Sequence, residues 1–152
     1  MEYLQFSFWF VVIHIFSYTV AGAVALKISG DLYRGENRLL NFIRDMDDSR
    51  ESSHVQKYFI PAQVFRGLLM SIDFYPILGV IGEISFLYIF LFVAGLMFLF
   101  TDFASAIPFP NNIEGFVYIK KRYLKKEFFW KLYFEMIVYS LIFAFLFASF
   151  LI

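Results

Sequence analysis

The sequence predicts an all-α integral membrane protein: a bundle of four transmembrane helices, with an amphipathic helix in the first inner loop and an interfacial basic helix before the last span. Three observations predict it: a composition too apolar for a soluble domain of this size, four long apolar stretches, and basic residues gathered into two segments. The chain has 152 residues, of which 61% are hydrophobic and 17% charged, with 23 Phe and 10 Tyr. Its mean hydropathy is +0.68. Soluble domains average roughly 45–50% apolar and about 25% charged residues. A soluble domain of this length has too large a surface to hide so much apolar side chain. The composition therefore excludes an ordinary soluble enzyme, a disordered chain and a basic nucleic-acid binder. With no cysteine, disulfides, thiolate metal sites and cysteine nucleophiles are excluded too. The chain reads as a single membrane domain over residues 1–152.

The first span is placed at residues 4–26, free of formal charge apart from His14. At ~1.5 Å per residue it reaches across a hydrocarbon core of about 30 Å. Ala21-Gly22-Ala23 and Ala23-Val24-Ala25 imitate signal-peptide cleavage sites. A signal peptide carries a positive n-region, and here only Glu2 precedes the apolar run, so the segment is expected to be retained. Residues 84–101 form an uninterrupted apolar span, and residues 130–152 another, broken by Lys131 and Glu135.

Residues 59–81 are ambiguous. The stretch is long enough to cross but carries Pro61, Gln63, Arg66, Asp73 and Pro76. Charge distribution decides it. Apart from Arg66, every basic residue lies in one of two segments: Lys27 to Lys57, or Lys120 to Lys131. If 59–81 crosses, both segments share one face and the opposite face has no basic side chain, as cytoplasmic retention of positive loops requires. Four spans satisfy that rule and three do not. The expected topology is multi-pass, with both termini outside and the charged loops, 27–58 and 102–129, cytoplasmic. Trp9 and Trp130 fall near opposite ends of their spans, where amphipathic rings prefer the headgroup level.

Within the first loop, residues 36–46 read as the amphipathic helix, with Leu39, Leu40, Ile43 and Met46 at helical spacing. Asp45, Asp47, Asp48 and Glu51 form an acidic cluster that lacks the glycine and ordered spacing of a calcium loop, so a solvated helix end is expected. His54 has no second ligand at metal-binding spacing and reads as a surface histidine. In the second loop Pro108 and Pro110 bar a helix, and Asn111 or Asn112 is placed to cap a new one with Glu114 in its first turn. That helix is expected to run along the interface into the last span. Lys120, Lys121, Arg122, Lys125 and Lys126 are candidates for anionic lipid headgroups, at about 1 kcal/mol per residue.

Polar residues inside the spans are the functional candidates, because burying charge in hydrocarbon costs about 2.5–3.5 kcal/mol even on permissive scales. Counting residues from the loop side puts Arg66 and Glu135 at similar depth, and His14 and Asp73 together further across. The expectation is two layers: Arg66 paired with Glu135, and Asp73 with His14. Lys131, four residues before Glu135, is a local competitor for that carboxylate. No phosphate loop, zinc motif, nucleophile elbow or haem motif occurs, and no cofactor or metal is expected.

The length, four spans, outer termini and large first inner loop resemble the membrane-associated eicosanoid and glutathione metabolism family. The resemblance covers the overall plan. The stretch His54-Val55-Gln56-Lys57-Tyr58-Phe59-Ile60-Pro61 lacks the Asn and Glu of that family's second-helix series, and the last span lacks its arginine, so no residue role is carried over. It implies an enzyme acting on a lipophilic substrate. Against it stand a non-enzymatic scaffold or subunit of a homo-oligomer or larger membrane complex, which the missing catalytic constellation favours, and an ion, proton or solute path lined by His14, Arg66, Asp73 and Glu135. Expected partners are the bilayer, anionic lipids and other membrane subunits, not nucleic acid.

The topology has a direct check, since the absence of native cysteine makes single-cysteine labelling clean. Cysteines at Ser52 and Asn112 should react with an impermeant reagent only from the cytoplasmic face, and one appended after Ile152 only from the other. Labelling of the two loops from opposite faces would remove the four-span topology.

Overall fold

The computed structural model describes residues 2–38 and 40–152, with the backbone alone at Phe128. Helices are α1 (Tyr3–Ile28), α2 (Ser49–Ile72), α3 (Leu78–Ile81), α4 (Phe86–Phe98), α5 (Ile113–Tyr118) and α6 (Lys126–Phe150), and no strand occurs among the described residues. Four helical segments are long and apolar enough to cross a membrane: Tyr3–Ile28, Ser49–Ile81, Phe86–Phe103 and Phe129–Phe150. The ambiguous second stretch is thus one of the four.

Local chemistry explains where these helices begin and break. Asp48 caps α2, its carboxylate accepting from the backbone N–H of Arg50 at 2.9 Å and of Glu51 at 2.8 Å. Glu51 in turn accepts from Asp45 N–H. The acidic cluster is therefore a helix end, as expected. Pro61 sits within α2. The helix stops at Asp73, and a short 3-10 turn, Tyr75–Ile77, leads into α3. Pro76 at the start of that turn lacks the N–H that a continuous helix would use. Beyond α4 the chain makes one π-helical turn, Leu99–Phe103, in which the Thr101 hydroxyl donates to the Met97 carbonyl. Asn112 caps α5 by accepting from Gly115 N–H at 2.7 Å, with Glu114 in the first turn.

The long helices pack in the order α2, α1, α6, α4, with α1 and α6 central. The core between them is aromatic: Phe6 and Phe10 of α1, Phe74 after α2, and Phe143 and Phe147 of α6 are all buried. The rings meet edge to face, Phe10 with Phe143 at 5.0 Å between centroids and Phe6 with Phe147 at 6.1 Å, the arrangement aromatic quadrupoles prefer. From α4, Ile89, Val93 and Met97 complete the core against α6. Gly67 lets α2 approach α1 closely. A Cβ there would lie 3.2 Å from both His14 Cδ2 and Val11 Cγ2.

Both charged loops gather at one end of the bundle. Phe42 of the first packs on Phe109 and Tyr123 of the second, with ring centroids 6.0 and 5.7 Å apart. Beneath them Leu32, Leu40 and Leu132 form a second small core. We call this the loop end, and the opposite one the terminal end.

Two expectations fail here. Residues 36–46 do not form an amphipathic helix; turns and bends replace it, Leu39 lying outside the described residues. Gly35 adopts φ +83°, in the left-handed region where glycine is favoured. Arg38 then folds inward. Its guanidinium donates to the carbonyls of Gly35 at 3.2 Å and of Ile43 at 2.8 Å, and pairs with Asp45 at 3.3 Å. These bonds satisfy the backbone locally, so no helix is needed to do so. The N–H of Asp47, above all, holds the Asp45 carboxyl below its usual range. This contribution to the loop is complete at neutral pH and fades as pH falls through the lowered value. The second failure is the basic interfacial helix. α5 ends at Tyr118, Ile119 and Lys120 are extended, and Lys121–Tyr123 form a separate 3-10 turn before α6 begins.

Gly67 gives the packing its test. Gly67→Val should destabilise the purified protein by about 1–3 kcal/mol, by forcing α2 away from α1. Gly79→Ala meets nothing within 4 Å and should leave the thermal melting midpoint unchanged or slightly raised.

Candidate functional site

The centre of the bundle is a hydrogen-bonded triad drawn from three helices. His14 of α1 is fully buried. Its Nδ1 lies 2.9 Å from the Tyr139 hydroxyl of α6, and its Nε2 3.1 Å from Oε1 of Gln63 on α2. An amide oxygen only accepts, so Nε2–H donates to Gln63 and Nδ1 accepts from Tyr139. The imidazole is then a neutral connector, with both nitrogens satisfied. Met97 Sδ, 3.8 Å from the same hydroxyl, ties the triad to α4.

Asp73 is not part of this layer. It lies ten residues beyond Gln63, about 15 Å further along the helix axis. It ends α2 and lines a cavity of about 410 Å3 between the α2 side, through Met70 and Ile77, and the α4 side, through Phe92, Leu96 and Thr101. Its side chain is exposed. The depth count failed because α2 starts well before residue 59 and is set at its own height by Gly67 and Gln63.

Arg66 and Glu135 do not pair. Ion pairs among the described residues join Arg34 to Asp47, Arg38 to Asp45 and Lys131 to Asp31. Arg66 instead lies over the Tyr18 ring, its guanidinium carbon 5.6 Å from the centroid, a cation–π contact. Glu135 accepts from the Tyr33 hydroxyl at 2.5 Å. Tyr33 follows the 3-10 turn Gly30–Leu32, which docks on the start of α6. Lys131 Nζ reaches Asp31 at 2.6 Å, Leu32 packs on Leu132, and Tyr33 meets Glu135. Lys131 thus turns to Asp31 and leaves Glu135 to Tyr33. Burial first, then the Glu135 charge, push the Tyr33 phenol above its ordinary value, so it stays protonated and donates.

Glu135 and Tyr33 also line a cavity of about 530 Å3 between α1 and α2, together with Tyr18, Gln63 and an apolar wall. Lys120, Lys121, Arg122, Lys125 and Lys126 are all exposed at the loop end. Arg122 lies over the Tyr123 ring at 4.8 Å.

Tyr18, Tyr33, Gln63 and Tyr139 are the participants that sequence reading missed. Gln63 had a signal, an amide in an otherwise apolar run. Tyrosines in a chain this aromatic have none until a partner is seen. Chemically, the arrangement holds neutral hydrogen bonds and two carboxylates, Glu135 and Asp73, each lining a separate cavity.

If the triad carries the predicted weight, Tyr139→Phe should strand Nδ1 and cost about 1–3 kcal/mol in thermal or denaturant unfolding. His14→Leu with Tyr139→Phe should then cost less than the two single losses summed. Additive losses would show that the two side chains do not act as a pair.

Comparison of the chain with known protein families, with curated proteins and with solved structures gives no match.

Proposed function

We propose that this chain is a small multi-pass membrane protein that serves as a subunit of a membrane assembly, either a homo-oligomer or a complex with other membrane proteins. Its charged loops lie in the cytoplasm, its termini outside. The observation carrying this reading is Asp73. Its carboxylate lines the gap between α2 and α4, the two helices that flank the central pair. It joins no ion pair among the described residues. Within a bilayer an uncompensated carboxylate is costly, and such residues pair with donors from neighbouring segments. A transmembrane segment of another subunit, laid along the gap and presenting a basic or amide side chain, supplies what this chain lacks.

The buried triad argues against the reading as a proton or ion path. Toward the terminal end the fully buried rings of Phe10, Phe143 and Phe147 separate His14 from the next polar groups, the hydrogen-bonded Ser7, Ser71 and Tyr75 hydroxyls, with Ser7 about 10 Å along α1 from His14.

In a mild detergent the wild-type protein should elute as an oligomer, or with a partner membrane protein, at a mass above that of one chain. Asp73→Leu should release a folded monomer whose melting midpoint is equal or higher. A wild-type monomer with no partner after gentle extraction would overturn the subunit reading, as would proton or cation flux in proteoliposomes that Asp73→Asn abolishes.

A further inference from the structure

The cavity between α1 and α2 has the features of a ligand site, independent of the Asp73 face. Its volume of about 530 Å3 lies in the range of small-molecule pockets, roughly 300–1,000 Å3. Gly22 and Ala23 of α1 and Val55 and Phe59 of α2 supply an apolar wall. The wall is not closed by packing, because a Cβ on Gly22 would meet nothing within 4 Å. Among its lining residues Thr19 and Ala23 of α1 and Gln56 of α2 are exposed.

Polar groups converge at one end. Glu135 Oε2 accepts from the Tyr33 hydroxyl, and Oε1 accepts no hydrogen bond among the described residues. Aromatic rings of Tyr18, Tyr33 and Phe59 line the same space, Tyr18 and Phe59 with centroids 5.9 Å apart. A carboxylate oxygen beside aromatic faces is the combination that recognises an ammonium group, through a charge-assisted hydrogen bond and ring quadrupoles. A fatty acid would set two carboxylates together, and a neutral alcohol would leave the carboxylate charge uncompensated.

We propose that this cavity binds a single-chain lipophilic amine, its ammonium on Glu135 and its hydrocarbon chain along Gly22, Ala23 and Phe59. Tyr33, by holding Oε2, aims the other oxygen into the cavity and is a positioning residue.

The test uses the full-length protein in detergent with three probes of equal chain length: dodecylamine, dodecanol and dodecanoate. Dodecylamine should add to the chain in equimolar ratio in native mass spectrometry and raise the melting midpoint. The alcohol and the acid should do neither at the same concentration. Glu135→Gln should weaken amine binding by about tenfold or more, a loss of about 1.4 kcal/mol, and erase the preference over the alcohol. Gly22→Leu leaves Glu135 and Tyr33 in place but fills the cavity, and it should abolish binding with the unliganded midpoint unchanged or raised. That variant keeps the proposal testable if Glu135→Gln does not fold. Equal binding of amine and alcohol would overturn the proposal, as would amine binding that survives Gly22→Leu or no amine binding at all.

Discussion

The bundle depends on one constraint: a polar side chain held among apolar helices must find its partners within the protein. His14 meets that constraint with one bond to α2 and one to α6, and so fixes the rotation of α1 between its two neighbours. An apolar helix surface offers many nearly equivalent packings. A ring nitrogen that must face Tyr139 while the other faces Gln63 offers one. The aromatic cluster of Phe6, Phe10, Phe74, Phe143 and Phe147 supplies contact area on the terminal side of this layer, and the triad supplies the register. Gly67 serves the same end, since only a missing side chain lets α2 come close enough for Gln63 to reach the imidazole.

Toward the loop end a different device operates. The 3-10 turn Gly30–Leu32 lies on the start of α6 through three successive residues, Asp31, Leu32 and Tyr33, engaging Lys131, Leu132 and Glu135. The chemistry changes along that short stretch, from an exposed ion pair to an apolar contact to a half-buried hydrogen bond. The exposed pair adds little to stability, within about 0–1 kcal/mol. Its use is to place Tyr33, whose hydroxyl occupies one oxygen of Glu135, a residue that lines the cavity. Arg66 stays apart from this group. A long guanidinium stem lies along apolar surface readily, and its charged head settles on the face of Tyr18.

The sequence by itself determined the four apolar helices and the gathering of both charged loops at one end. Hydrophobic length and the placement of Lys and Arg are local, additive properties, readable in one dimension. It also placed a helix end at the acidic cluster of Asp45 to Glu51 and a cap at Asn111 or Asn112, because such ends depend on residues only a few positions apart. What tertiary structure alone decided was which face of each helix meets which neighbour. Residue counting gives distance along one helix but neither the height at which that helix stands against its neighbour nor the rotation about its axis, and on helices apolar all round no periodicity supplies the rotation. Arg66 and Glu135, matched by counting, therefore turn to Tyr18 and Tyr33, and Asp73 lies about 15 Å from the layer assigned to it. The loop at 36–46 failed for a related reason. Its helical spacing of apolar residues is real, but Gly35 and the inward fold of Arg38 satisfy the backbone through contacts that a periodicity cannot express.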